Sequence, residues 1–109
     1  MEFDEVLALR KSVRRYTKEI VSQEDEKAML DAAMASSVGK HNDGGYNLVV
    51  VRDREILDLI AKEEKEETGG GDPLFGAPLL FLICRTKEAV DYLMRYDAGI
   101  IAEHIHLKA

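Results

Sequence analysis

Arg10-Lys11-Ser12-Val13-Arg14-Arg15-Tyr16-Thr17-Lys18 holds five of the chain's 15 basic residues and no acid. The chain as a whole leans the other way, with 21 acidic residues and a net charge of -6. A compact cluster of cations and hydroxyls in an acidic protein marks a discrete anion site, not a generally adhesive surface. A guanidinium group presents a planar fork of donors that matches phosphate, and serine adds a short, directional hydroxyl. A ligand phosphate is therefore the first candidate for this stretch. The local alternative is that Arg10 and Lys11 end a first helix, where cations favour the helix dipole.

The flanks of this stretch have recognisable periods. Before it, Phe3, Val6, Leu7 and Leu9 give a helical stripe that predicts a helix over 2–11. After it, Ser22 is a good N-cap, followed by acids in the first turn of a helix over 23–35. Ala28, Met29, Ala32, Ala33 and Met34 form the apolar face of that helix. Residues 36–45, Ser-Ser-Val-Gly-Lys-His-Asn-Asp-Gly-Gly, are a loop by composition, and its length is of the kind that often carries function. Tyr46 to Arg52 is valine-rich and reads as a buried strand. Asp53 caps a third helix that runs to about Lys65, with Ile56, Leu57, Leu59 and Ile60 on one face. Glu63, Glu64, Glu66 and Glu67 are a solvated helix end. Thr68 to Pro73 is a linker. Its three glycines follow a helix and precede a strand, the reverse of a phosphate-loop order. Pro78 to Arg85 is a second apolar strand. Thr86 caps a last helical region from Lys87 to Ala109, with an interruption near Asp97-Ala98-Gly99.

The order helix, helix, strand, helix, strand, helix predicts a single α+β domain over 1–109, an α/β sandwich with two core strands flanked by helices. Two strands do not make an independent sheet. Strands this apolar need cover on both faces and neighbours on both edges. The fold is thus expected to be incomplete alone and completed by dimerisation, or else to be a piece of a longer protein. The final apolar-faced helical stretch, which ends with no C-cap glycine, points the same way.

Composition narrows the function classes. With 109 residues, 46% apolar and 33% charged, the chain suits one globular domain. Its acidic balance disfavours nonspecific binding to nucleic acid or to an anionic membrane. Cys84 is the one cysteine, so an intrachain disulfide is excluded, and its apolar neighbours suggest a small core residue. The start lacks a signal-peptide profile, and no apolar run approaches the ~20 residues of a membrane span, so a cytoplasmic location is expected. His104 and His106 are two apart and diverge on a helix, which argues against a shared metal. His41 is expected to be a solvated loop histidine. Tyr16 and Tyr46 are expected to pack in the core. No side chain is assigned as a catalytic acid, base or nucleophile.

Four segments in order resemble the nitroreductase family of flavin-dependent oxidoreductases. They are Arg10-Lys11-Ser12-Val13-Arg14, Ala35-Ser36-Ser37-Val38-Gly39, Leu74-Phe75-Gly76-Ala77-Pro78 and the helix beginning Asp97-Ala98-Gly99. The second segment is similar to a divergent branch of the family, and His104, His106 and Lys108 depart from its common pattern. The resemblance covers nearly the whole chain but about the first half of the family's domain. It implies a homodimer with FMN at the subunit interface. Arg10, Ser12 and Arg14 would hold the FMN phosphate. Ser36, Ser37, Val38 and Gly39 would lie against the isoalloxazine ring. It further implies hydride transfer from NAD(P)H to a nitroaromatic, quinone or similar acceptor. The alternative is a non-catalytic homo-oligomer that keeps this part of the fold and binds flavin weakly or not at all.

Overall fold

The computed structural model describes residues 1–38 and 43–109. The elements follow the expected order: α1 (Phe3–Leu9), α2 (Gln23–Met34), β1 (Tyr46–Val51), α3 (Arg54–Thr68), β2 (Leu80–Arg85) and α4 (Met94–Lys108), with a short 3₁₀ turn at Asp43–Gly45 before β1. β1 and β2 form a two-stranded sheet. The amide of Thr86, just past β2, donates to the carbonyl of Gly45, just before β1, at 2.8 Å. The end of one strand thus meets the start of the other, and the pair is antiparallel. The fold is α+β, as the order of elements predicted.

The chain divides into two compact units. The first comprises Met1–Lys11, Ser22–Leu48 and Ile83–Ala109. Within it, α2 packs against α4. α2 begins as expected, with the Ser22 hydroxyl accepting from the Asp25 amide at 3.0 Å and three acids in the first turn. Ala33 is buried from this helix, but Met34 is 74% exposed and does not belong to the packed face. From α4, Asp97 and Ile101 are buried, and His104 and Ile105 continue the same stripe at half burial, the i, i+4, i+7, i+8 spacing of one helix face.

Two expectations for α4 are corrected. Thr86 does not cap this helix; residues 87–93 are turns and irregular chain, and α4 starts at Met94 after Leu93. The Thr86 hydroxyl is used elsewhere, donating to the Gly44 carbonyl at 2.7 Å and accepting from the Glu88 amide at 3.2 Å. The helix also runs unbroken through Asp97-Ala98-Gly99, since an isolated glycine lowers helix propensity without ending a helix whose stripe is packed.

The second unit comprises Ser12–Val21 and Val49–Leu82. Its centre is Leu57, fully buried on α3. The Asp53 carboxylate caps that helix, accepting from the amides of Glu55 at 2.8 Å and Ile56 at 3.4 Å. The inward stripe is Leu57, Ile60 and Ala61, at i, i+3 and i+4. Ile56 and Leu59, assigned to the same face from sequence, are 48% and 54% exposed because one stripe of a 3.6-residue helix cannot hold all four positions. α3 also runs past Lys65 to Thr68, where Gly69 adopts a left-handed conformation (φ 71°) and its amide closes the last turn on the Lys65 carbonyl.

Burial is thin in both units. Among the described residues, Ala33, Leu57 and Ile101 are the buried apolar side chains. Val49 on β1 and Leu82 on β2 are exposed, as are Phe3, Leu7 and Leu9 on α1. Cys84 is half-buried and free. No helix among the described residues is long and apolar enough to cross a membrane.

Candidate functional site

The basic stretch leaves α1 without belonging to it. The sequence pattern extended this helix to residue 11, but it ends at Leu9, and Arg10 is its C-cap with an extended backbone (φ -56°, ψ 132°). The last turn of α1 therefore holds no basic residue; Arg10 caps its C-terminal end and Lys11 follows, so cations still stand beside that end of the helix. Residues 10–20 are all exposed. Among the described residues, no side-chain hydrogen bond or ion pair engages Arg10, Ser12 or Arg14. Tyr16 lies in this exposed stretch at 45% and is not a core residue, contrary to expectation. No acid interrupts the sequence from Arg10 to Lys18.

Backbone carbonyls in the stretch and just beyond it are tied instead. The Lys11 carbonyl lies 3.2 Å from His106 Nε2, and the Val21 carbonyl accepts from Arg52 Nη1 at 2.8 Å. Each bond lies within one unit, the first in the unit of Arg10 and the second in that of Ser12 and Arg14. Arg52, His106 and the carbonyls they meet are far apart in sequence, and nothing in the local pattern announces either contact.

The second predicted group divides differently. Ser36 is half-buried, and its hydroxyl donates to the Ala33 carbonyl at 2.6 Å, closing the end of α2. That proton is spent inside the chain, although the oxygen can still accept. Ser37 is exposed and Val38 half-buried, both following α2. Gly39 and His41 lie outside the described residues. Arg10 and Ser36 to Val38 fall in the first unit, whereas Ser12 and Arg14 fall in the second.

The Gly-Ala-Pro turn has an organiser that the sequence reading passed over. The two oxygens of Asp72 accept from the Leu74 amide at 2.8 Å and the Gly76 amide at 3.2 Å. Phe75 and Gly76 both take positive φ values, 52° and 75°. A left-handed phenylalanine is costly, and the two aspartate bonds that flank it hold it in place. An Asx-turn residue three positions before Phe75 was a visible signal.

A further missed residue is the partner of Tyr46. The phenol donates to Asp97 Oδ2 at 2.7 Å, and Asp97 is 3% exposed. Burial, followed by the hydrogen bond to Asp97 and its charge, pushes the Tyr46 phenol up to about 12. Tyrosine at the start of a strand and aspartate on the inward stripe of α4 join β1 to the helix inside the first unit. An open cleft of about 290 Å³ lies beside the end of β2, lined by Arg85, Thr86, Lys87, Ala89 and Asp91. It contains none of the predicted site residues, and its Arg85 is paired with Asp91 at 3.1 Å. Among the described residues no group of three or more metal-ligating side chains comes together.

No protein-family model matches the chain, and no curated protein matches it. Solved structures do. An FMN-dependent nitroreductase from Clostridium difficile R20291 is 31% identical, with a TM-score of 0.81 over 94% of this chain and 57% of its own. The fold is that of the nitroreductase family. A nitroreductase with bound FMN from Bacteroides fragilis NCTC 9343 matches at 20% identity and a TM-score of 0.85, over 100% of this chain and 64% of its own. One with bound FMN from Desulfitobacterium hafniense DCB-2 matches at 23% and 0.81, over 96% and 62%. At these identities the last two carry the fold alone. The chain spans roughly three-fifths of the length of these nitroreductases, a partial domain of that fold.

Proposed function

We propose that this nitroreductase-fold chain, one domain over 1–109, binds FMN and serves an oxidoreductase that moves a hydride from NAD(P)H to a nitroaromatic, quinone or similar acceptor. The observation that carries the proposal is the set of unengaged donors at Arg10, Ser12 and Arg14. A cation and hydroxyl set left without hydrogen-bond or ion-pair partners among the described residues suits a dianionic phosphate, which supplies acceptors to each of them. Exposed on an acidic protein, these side chains would attract a phosphate locally while the rest of the surface repels polyanions. FMN, named in the three solved relatives, is the ligand of that chemistry.

The flavin, when bound, supplies the two-electron redox chemistry. The chain's own part is binding and orientation. Arg10 and Arg14 would pair with phosphate oxygens, and Ser12 would donate to one of them. Ser36, Ser37, Val38 and Gly39 would line the isoalloxazine side, with the Ser36 oxygen available as an acceptor and its proton already on Ala33. Exposed apolar side chains on α1 (Phe3, Leu7 and Leu9) and on both strands support a homodimer in which a second copy covers them.

Purified chain incubated with FMN and freed of excess should be yellow, sediment as a dimer, and oxidise NADH or NADPH when a quinone is added. A chain that stays colourless after incubation overturns the proposal. Flavin binding without turnover would favour the non-catalytic reading, for which the internal commitment of the Ser36 hydroxyl speaks.

A further inference from the structure

His106 lies on the exposed side of α4, yet both of its ring nitrogens face polar groups. Nε2 is 3.2 Å from the Lys11 carbonyl oxygen. A carbonyl can only accept, so Nε2 is the donor. Nδ1 is 3.6 Å from Glu103 Oε2, one turn earlier on the same helix.

The acceptor is what makes this contact informative. Lys11 is the first residue beyond the C-cap of α1, where the chain turns out of the helix into the basic stretch. Among the described residues, His106 provides the hydrogen bond to its carbonyl, and no backbone donor does so. The direction in which Arg10 and Lys11 leave α1 is therefore set by a side chain 95 positions away. Fixing that direction lowers the conformational entropy a ligand must remove when it orders the segment.

We infer that His106 is a positioning residue for a phosphate-monoester site, which holds the Lys11 carbonyl so that Arg10, beside it in the same unit, is preformed for the phosphate. The inference rests on the proposal that this segment takes the FMN phosphate. It adds the residue that orders the segment without touching the ligand.

The test compares FMN with riboflavin, which lacks the phosphate, by fluorescence titration of the full chain. His106→Leu should weaken FMN about 3- to 10-fold, the range for loss of one hydrogen bond, and leave riboflavin unchanged. His106→Gln, whose amide nitrogen reaches about as far as Nε2, should bind FMN within about 2-fold of the parent chain. Amide hydrogen exchange supplies a check without ligand: the Arg10 amide, which donates to the Val6 carbonyl at 2.9 Å, should exchange faster in His106→Leu and not in His106→Gln, with α4 protected in both. Equal FMN affinity for the leucine variant, a parallel loss of riboflavin, or failure of glutamine to restore binding would each overturn the inference. Ser12→Ala with Arg14→Ala separates the two levels. If that pair weakens FMN while His106→Leu does not, the positioning role alone fails. If the pair leaves FMN unaffected, the phosphate assignment fails and the inference with it. A parent chain that binds neither flavin overturns both.

Discussion

Tyr46 with Asp97, and the stretch from Arg10 to Lys18, use polar groups in opposite ways. The phenol and the carboxylate are spent on each other, 2.7 Å apart with Asp97 buried. The basic stretch is exposed along its length, and among the described residues no side-chain hydrogen bond or ion pair engages Arg10, Ser12 or Arg14. One arrangement stabilises the fold and needs no ligand. The other contributes little to the fold and, on the proposed function, would be completed by an anion. The difference separates structural polarity from ligand-directed polarity without reference to any relative: a buried group must find its partner within the chain, whereas an exposed, unengaged donor set is free to find one elsewhere.

The largest effect expected from breaking this contrast is on ligand binding. Ser12→Ala combined with Arg14→Ala should cost about 2–3 kcal/mol of FMN affinity, on the order of 30- to 150-fold, since charge-assisted bonds are the stronger class. Riboflavin affinity should not change. Because these side chains are exposed and make no hydrogen bond or ion pair among the described residues, unfolding stability should stay within about 0.5 kcal/mol of the parent chain. Calorimetric titration and urea unfolding on the same samples decide it; a stability loss without a binding loss would make the stretch structural.

Tyr46→Phe should do the reverse. Removing a hydrogen bond to a buried carboxylate costs about 1–3 kcal/mol of stability and should leave the phosphate contribution to FMN binding intact. The pair also predicts a pH window. The unfolded phenol gives up its proton near its ordinary value, while the folded one keeps it up to about 12. Between those values the folded state binds more protons, so stability falls as pH rises. The contribution is whole below the ordinary phenol value and gone once pH has passed through about 12. Unfolding midpoints across that window should slope downward in the parent chain and less steeply in Tyr46→Phe. Equal slopes would detach Tyr46 from the alkaline loss.

The two regions also differed in how visible they were in the sequence. The basic stretch was legible because it is contiguous: five cations and no acid need no tertiary information. The elements were legible for the same reason, from caps and periods. The boundaries slipped where a tertiary partner intervened. Thr86 was a plausible helix cap until Gly44 claimed its hydroxyl, and Met34 and Ile56 looked like core because period alone does not say which of two adjacent positions faces inward. Tyr46–Asp97, His106–Lys11 and Arg52–Val21 were not legible at all, since each joins positions separated by tens of residues and no local rule pairs them. Ser36 shows the mixed case. Its place after α2 was read correctly, but the Ala33 carbonyl that takes its proton is a helix-end demand that competes with any ligand.

Ser22→Ala tests a polar group that is structural and legible together. Its hydroxyl satisfies the Asp25 amide at the start of α2, and loss of such a cap costs about 1 kcal/mol. Urea unfolding should register that loss with FMN affinity unchanged. A drop in affinity comparable to that of the Ser12 and Arg14 pair would mean that α2 and the phosphate segment are coupled, and that the separation of structural from ligand-directed groups is too sharp.

The smallest effect is expected from a pair that looks strong on distance alone. Lys27 Nζ lies 2.7 Å from Asp31 Oδ2, one turn apart on α2, with the two side chains 75% and 63% exposed. Exposure lets water and salt screen the attraction, and such i, i+4 pairs contribute about 0.3–0.5 kcal/mol. Lys27→Ala should therefore shift the unfolding midpoint barely, and less so in high salt. This pair stands between the two regions compared above: its charges are engaged, as in Tyr46–Asp97, but solvated, as in the basic stretch. If Lys27→Ala cost as much as Tyr46→Phe, burial would not be what makes the Tyr46–Asp97 bond valuable. If it weakened FMN, the anion affinity would belong to the chain's overall charge and not to Arg10, Ser12 and Arg14. Absence of both effects assigns stability to burial and anion binding to the unengaged donors after α1.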